Sequence, residues 1–315
     1  MNTPDLQELA LQTRSTREAG VTLLLASGVL AFFILISPAA KRTPPDAVTI
    51  NTPSAPDAFA GVSIEAKAAI VYDLATGKTL YAKNDEAQLP LASLTKLLTV
   101  YAALTELSPN TPITIPESAA HVDAPHAFSV GQVFPLADLA RLTLTGSLND
   151  GAIAIANATA ARENKTESAM LAGAAAALNL SQTYALNGSG LDMNTAISGG
   201  YGSAADLARL AGALVERAPG IAAATTHSTA EAVSAGGTSF VIKNTDPITG
   251  TIPRLLLSKT GYTDLAGGNL ALVFDAGIQH PIAVIVLGSS LKARFTDGAA
   301  LVAATLAHFA GVASL

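Results

Sequence analysis

Ser93 and Lys96 stand three residues apart in the apolar stretch 89–104, LPLASLTKLLTVYAAL. On a helix this spacing places both side chains on one face. A serine hydroxyl becomes a nucleophile when a neighbouring base takes its proton, and a neutral lysine can be that base. Because burial disfavours the charged amine, an apolar helix would make Lys96 such a base. The alternative is that this face is the solvated side of an amphipathic helix.

Two further patterns could complete a site of this kind. Ser147 and Asn149 follow about fifty residues later, between two helical stretches, with Leu148 between them. Lys259 opens the triplet Lys-Thr-Gly directly after the apolar run LLLS, late in the chain. In this order, Ser-x-x-Lys, Ser-x-Asn and Lys-Thr-Gly form the signature of class A beta-lactamases and penicillin-binding proteins.

The first two patterns are weak when taken alone, since the chain contains each of them twice. The second Ser-x-x-Lys, Ser289 to Lys292, ends a strand-like run instead of opening a helix, and the second Ser-x-Asn, Ser108 to Asn110, contains a proline that indicates a turn. The order and setting of the three motifs therefore carry the assignment.

The elements that must position these motifs are predicted from periodicity. The segment AAIVYDLATGKTLYAKN indicates two strands joined at residues 75–78, and a long Ala- and Leu-rich middle has helical spacing. Three strand-like runs, IPRLLLSKTGY, GNLALVFDA and HPIAVIVLGS, precede a closing helix in RFTDGAALVAATLAHFAGV. We expect an α+β fold in which an antiparallel sheet, made of the N-terminal hairpin and a C-terminal meander, is flanked by helices and carries a mostly helical insertion.

Whole segments resemble one family. The segments ASLTKLLTVYAAL, DLARLTLTGSLNDGAIAIANA, NGSGLD, YGSAADLARLA and SKTGYTDLAGGNL are similar to those of the serine-type D-alanyl-D-alanine carboxypeptidases, which are low-molecular-mass penicillin-binding proteins of the beta-lactamase/transpeptidase-like superfamily. The resemblance covers roughly residues 64–310. Leu148 and Ser258 depart from the family pattern, and Leu148 is expected to add bulk beside the cleft.

The resemblance implies a role for each motif residue of the catalytic centre. Ser93 would be acylated, Lys96 would be its base, with its pKa lowered by burial and by Lys259, and Ser147 would relay a proton to the leaving amine. Asn149 would orient Lys96 or bind the substrate amide. The neighbouring Asp150 is predicted equally well as a helix cap, an ion-pair partner or a site residue.

The late strand would bind the substrate. By the same resemblance, Lys259 and Thr260 would hold the terminal carboxylate of a peptide, and Gly261 and Tyr262 would line the strand beside them. The backbone N–H groups of Ser93 and Tyr262 would form the oxyanion hole.

The implied substrates are peptidoglycan stem peptides ending in D-Ala-D-Ala, with beta-lactams as covalent inhibitors. Two alternatives remain. A beta-lactamase needs a deacylating carboxylate, and residues 168–191 contain no acidic residue. A non-catalytic penicillin-binding sensor is expected to carry a signalling domain beyond the membrane, for which an 18-residue tail is too small.

The N-terminal region predicts membrane attachment. Residues 19–40 are 22 residues without a charge, long enough to span about 33 Å against a hydrocarbon core of about 30 Å. We expect a cytoplasmic tail over residues 1–18, a single-pass transmembrane anchor over 19–40, a Pro- and Ala-rich linker over 41–60, and a catalytic domain over 61–315 on the extracytoplasmic side. The alternative for residues 19–40 is a signal peptide that is cleaved near Ala39.

Composition excludes other classes of function. The net charge of −6 and the lack of basic runs argue against nucleic-acid binding. With no cysteine there is neither a thiol nucleophile nor a thiolate metal site. The five histidines show no metal-ligand spacing, so we expect neither a metal nor a cofactor.

Overall fold

The structure, a computed structural model, describes residue 21 and residues 23–25, 57–119 and 122–311. The chain divides into two units, residues 1–53 and 54–315. In the first unit the four described residues are helical. Within the described ranges, no helix combines the length and the apolar character needed to cross a bilayer. The predicted tail and most of the predicted anchor and linker lie outside the described residues, so these assignments stay predictions.

The second unit contains twelve described strands and seven described α-helices. The strands are β1 (Ala68–Asp73), β2 (Lys78–Lys83), β3 (Leu89–Pro90), β4 (Pro112–Thr114), β5 (Val133–Pro135), β6 (Tyr184–Ala185), β7 (Gly200–Gly202), β8 (Thr229–Val233), β9 (Ser239–Lys243), β10 (Leu255–Thr263), β11 (Gly267–Asp275) and β12 (Pro281–Ser289). The helices are α1 (Thr95–Glu106), α2 (Leu136–Gly146), α3 (Asn149–Glu163), α4 (Glu167–Ala177), α5 (Ala204–Arg217), α6 (Pro219–Ala224) and α7 (Ala293–Ala310).

Five strands form the main sheet in the order β10-β11-β12-β1-β2, and all neighbours in it are antiparallel. Its three central strands, β1, β11 and β12, are almost wholly buried because each face of the sheet is covered there, whereas the edge strand β2 is exposed or half-buried. On β1, Ala68 and Ile70 pack into the core that contains the insertion helices, whereas Ala69 and Val71 pack into the core that contains α7. This alternation follows from the two-residue period of a strand. The expected joining of the N-terminal hairpin to the C-terminal meander is confirmed.

The insertion between β2 and β10 is mostly helical, as the periodicity predicted. The strands of the insertion, β3 to β9, were not predicted. The longest of them form the hairpin of β8 and β9, whose residues Thr229–Val233 pair with Ser239–Lys243. Its alternating pattern is short and polar, so it gives a weak strand signal. Lys259 lies on an edge strand, because β10 ends the main sheet.

Candidate active site

Ser93 lies in a 3-10 turn, Ala92–Leu94, that leads directly into α1. Ser93 therefore stands at the entrance of the helix, as expected, but in a 3-10 turn and not in the α-helix itself. Ala92, just before it, has a left-handed φ of 49°, a conformation that costs free energy for a residue with a side chain and is found most often at functional sites.

The strand that carries Lys-Thr-Gly approaches this turn very closely at Gly261. A Cβ atom at that position would lie 2.9 Å from the carbonyl oxygen of Leu91 and 3.3 Å from the backbone nitrogen of Ser93. Only glycine permits this contact without a shift of the backbone. Gly261 thus brings the edge of β10 against the nucleophile turn.

Lys96 is completely buried, at 0% exposure, one turn beyond Ser93. Its Nζ lies 2.7 Å from Ser93 Oγ, 2.8 Å from Asn149 Oδ1 and 2.8 Å from the carbonyl oxygen of Ser189. Burial lowers the pKa of Lys96 to about 7, and the nearby carboxylate of Asp150 opposes that shift. The reading of this face as the solvated side of a helix is wrong.

Ser147 and Asn149 reach the cleft because the chain reverses between α2 and α3. Ser147 caps α2 with a left-handed φ of 58°, and Asn149 is the first residue of α3. Leu148 between them is 4% exposed, and its side chain packs in the hydrophobic core.

The hydroxyl of Ser147 is paired with Lys259. The Nζ atom of Lys259 lies 2.8 Å from Ser147 Oγ and 2.8 Å from the carbonyl oxygen of Thr260. Burial, together with the charges of Lys96 and Arg294, holds the pKa of Lys259 well below its ordinary value, while Asp246 opposes the shift. Because repulsion between two ammonium groups is mutual, Lys96 and Lys259 each disfavour the charged form of the other.

Two residues outside the Lys-Thr-Gly motif form hydrogen bonds with the other residues of that motif. The hydroxyl of Thr260 lies 2.6 Å from that of Thr245, and Arg294 Nη1 donates to the carbonyl oxygen of Gly261 at 2.6 Å. Thr245 and Arg294 also line a cavity of about 470 Å³ next to β10, which Lys243 and Lys292 line as well. Tyr262 is 47% exposed near the end of the strand. Three cationic side chains and the carboxylate of Asp246 thus line the cavity beside the strand on which the substrate carboxylate is expected.

The loop 187–190 supplies the carbonyl group that contacts Lys96. Asn187 Oδ1 accepts hydrogen bonds from the backbone nitrogens of Ser189 and Gly190, and Glu167 Oε2 accepts one from Gly188 at 3.0 Å. Burial raises the pKa of Glu167. The acidic residue that directly precedes the acid-free stretch 168–191 is thus engaged with the backbone of this loop.

The structure joins Ser93, Lys96 and Asn149 in one hydrogen-bonded group and Ser147 and Lys259 in a second. The two groups are close enough for the charge of Lys96 to act on Lys259. Gly261, Thr260 and Tyr262 lie on the same strand as Lys259. The second Ser-x-x-Lys pair is not part of either group, because Ser289 donates to Asp297.

Sequence reasoning missed the contributions of Ser189, Thr245 and Arg294 to the site and left that of Asp150 open. The segment NGSGLD, already recognised as family-like, was a signal for Ser189, and the position of Asp150 next to Asn149 was a signal for that carboxylate. Thr245 and Arg294 gave no signal, since only folding brings them to β10.

Comparison with known proteins identifies relatives of this chain. The chain is 29% identical over 238 residues to a D-alanyl-D-alanine endopeptidase of Pseudomonas aeruginosa, covering 74% of each protein. Penicillin-binding protein D2 of Listeria monocytogenes, solved in an ampicillin-bound form, is 25% identical with a TM-score of 0.66, over 78% of this chain and 98% of that one.

A D-alanyl-D-alanine carboxypeptidase of Mycobacterium tuberculosis has the same fold, with 24% identity and a TM-score of 0.66 over 81% of this chain and 98% of that one. These similarities confirm the predicted α+β fold. The family model described as D-alanyl-D-alanine carboxypeptidase matches residues 50–290. The chain therefore belongs to the D-alanyl-D-alanine carboxypeptidase family of hydrolases, as its motifs predicted.

Proposed function

We propose that this chain releases the terminal D-alanine from peptidoglycan stem peptides through an acyl-enzyme on Ser93. The observation that carries the proposal is the 2.7 Å contact between Lys96 Nζ and Ser93 Oγ, in a site whose burial lowers the pKa of Lys96 to about 7. At neutral pH about half of the lysine is then neutral and able to accept the serine proton.

Acylation begins when Ser93 transfers its proton to neutral Lys96 and attacks the carbonyl carbon of the penultimate D-alanine. The resulting oxyanion would be stabilised by the backbone N–H groups of Ser93 and Tyr262. Asn149 and the carbonyl group of Ser189 accept hydrogen bonds from Lys96 and hold its Nζ on the serine. Water then hydrolyses the ester, with the same lysine as base.

Ser147 is suited to protonate the leaving amine. Its oxygen accepts a hydrogen bond from Lys259, so its own proton is available to the leaving D-alanine. The proton that Lys96 took from Ser93 then passes to Ser147 in its place, which leaves Lys96 neutral for the water step. The substrate carboxylate would bind at Lys259 and Thr260. Because that carboxylate favours the charged form of Lys259, and charged Lys259 repels a proton on Lys96, substrate binding itself keeps the base neutral.

Beta-lactams should acylate the same serine, as the ampicillin-bound relative suggests. The adduct is expected to persist for minutes or longer, since residues 168–191 provide no carboxylate to activate water and Glu167 is engaged with Gly188.

The test is to incubate the full chain with a diacylated pentapeptide ending in D-Ala-D-Ala and, separately, with a penicillin. Release of D-alanine together with a stoichiometric adduct, mapped to Ser93 by mass spectrometry, supports the carboxypeptidase. Rapid penicillin turnover without a lasting adduct would indicate a beta-lactamase. An adduct without D-alanine release would indicate a sensor.

We further propose that residues 19–40 anchor the chain in the cytoplasmic membrane with the catalytic domain on the extracytoplasmic side, where its substrate lies. The length and apolar character of this segment support the proposal. Mass spectrometry of the mature protein from membranes should find the N-terminal peptide that begins at Met1. A mature N-terminus near Ala40 would show a cleaved signal peptide instead.

A further inference from the structure

Asp150 is a buried carboxylate that the proposed mechanism does not use. It follows Asn149 at the start of α3 and is 0% exposed. Its Oδ2 accepts hydrogen bonds from the backbone nitrogens of Ala127 and Phe128, each at 2.7 Å, and its Oδ1 accepts one from Gly151 at 2.8 Å. Among residues 57–119 and 122–311, no cationic side chain forms an ion pair with it. Burying a charge without an ion-pair partner is costly.

The hydrogen bonds of Asp150 attach the segment 122–128, here called the flap segment, to the start of α3. The same segment is bound by Asn149, whose backbone nitrogen donates to Pro125 at 2.7 Å and whose Nδ2 donates to Asp123 at 2.8 Å, both at carbonyl oxygens. Because the amide nitrogen of Asn149 is held there, its Oδ1 is the atom that faces Lys96. The flap segment therefore fixes the orientation of the amide that positions the base.

The charges around Asp150 come from several elements. Lys96 on α1 and Lys259 on β10 are both buried. Arg294 on α7 and Asp246 are the other charged groups that act on Lys259. The flap segment adds Asp123 and His126, both exposed. Of the buried carboxylates, Asp150 is the one that acts on Lys96, and it raises the pKa of that lysine.

We propose that Asp150 is a positioning residue for the general base, which attaches the flap segment to α3 so that Asn149 keeps its oxygen on Lys96, and which supplies the negative charge that the buried ammonium faces. The inference rests on the proposed function of Lys96. The inference predicts the direction in which the pH dependence of activity shifts. When the carboxylate is removed, the charged form of Lys96 loses stabilisation, so the acid limb of the activity profile moves to lower pH.

The experiment compares three variants of the full chain. Asp150→Asn removes the charge with little change of shape, and Asp150→Glu keeps the charge. Asp206→Asn is the control, because Asp206 is also 0% exposed, also lies in the first turn of a helix, and also accepts a backbone hydrogen bond from a distant segment, at Gln182. Asp206 differs from Asp150 in its ion pair with Arg209. Each variant is also combined with His126→Asn, so that titration of this exposed histidine is excluded.

Two readouts are measured for each variant. The first is the pH dependence of kcat/KM for D-alanine release, and the second is titration of the Lys96 Cε resonance in protein labelled with 13C-lysine, assigned by its loss in Lys96→Arg. For Asp150→Asn we expect both midpoints to fall by about one pH unit, a tenfold change in the protonation equilibrium. Asp150→Glu should stay near the wild type, and Asp206→Asn should lower thermal stability without moving either midpoint.

An unchanged Lys96 titration in folded Asp150→Asn, or an equal shift in Asp206→Asn, would overturn the inference. If Asp150→Asn does not fold, the Asp150→Glu titration decides, since retained charge must keep the midpoint within a few tenths of a unit of the wild type. The resonance does not depend on turnover. Absence of D-alanine release from the wild type would therefore contradict the proposed function, while the titration would still test Asp150.

Discussion

Replacement of Lys96 by arginine tests whether burial makes this lysine a base. Arginine keeps a positive charge and several donors, so it can still bond to Asn149 and to the carbonyl group of Ser189, but it does not lose its proton in the working pH range. The substitution therefore removes proton acceptance more selectively than alanine does.

The size of the effect follows from the pKa shift. With an ordinary lysine pKa of 10.5, about one molecule in three thousand would be neutral at pH 7. With the pKa near 7, about half are neutral. Burial thus increases the reactive fraction by about 10³, equivalent to about 4 kcal/mol of barrier. We expect Lys96→Arg to slow both D-alanine release and acylation by penicillin at least 10³-fold, in the range of general-base catalysis.

The assay follows both reactions from pH 5 to 9, with thermal melting to verify folding. In the wild type, kcat/KM should rise about tenfold per pH unit on an acid limb and level off near pH 7, because one proton must leave Lys96. Activity of folded Lys96→Arg within tenfold of the wild type, or a profile that is flat below pH 7, would refute the role of Lys96 as base.

Three other outcomes are expected. Ser93→Ala should abolish D-alanine release and the penicillin adduct. Ser289→Ala should keep both and lose only about 1 kcal/mol of stability, because the Ser289 hydroxyl only donates a hydrogen bond to Asp297. The reverse pattern would contradict the motif assignment. Gly261→Ala should lower kcat/KM at least about tenfold with a small loss of stability, because the added Cβ would clash with the carbonyl oxygen of Leu91. Unchanged kinetics in this variant would show that the close approach of β10 to the nucleophile turn is not needed. The unfolded state binds the proton of Lys96 up to pH 10.5, and the folded state only up to about pH 7. Lys96 alone should therefore make the free energy of unfolding by urea rise by up to about 1.4 kcal/mol per pH unit between these values, and Lys96→Met should reduce the slope by that contribution.

Most of the fold could be predicted from the periodicity of apolar residues in the sequence. The strands that end the catalytic unit are long and strongly apolar, so their β pattern was clear, and the antiparallel joining of hairpin and meander followed from the order of elements. The β8–β9 hairpin was not predicted because its strands, Thr229–Val233 and Ser239–Lys243, are short and half exposed. Its stability comes from packing on neighbouring elements, which a local pattern does not record.

For the site, local spacing determined the pairs that lie within one turn or one strand. Ser93 and Lys96, and the run from Lys259 to Tyr262, could be recognised because helix and strand geometry place near neighbours in predictable relation. The order of the motifs then identified the family and its chemistry.

Only the tertiary structure decided which groups meet across the chain. It paired Ser147 with Lys259, 112 residues away, and Lys96 with the carbonyl group of Ser189, 93 residues away. It also buried Lys96 completely and placed the charge of Asp150 near it. The physical reason is that a pKa depends on desolvation and on charges within a few ångströms, and these are properties of packing in space and not of neighbours in sequence.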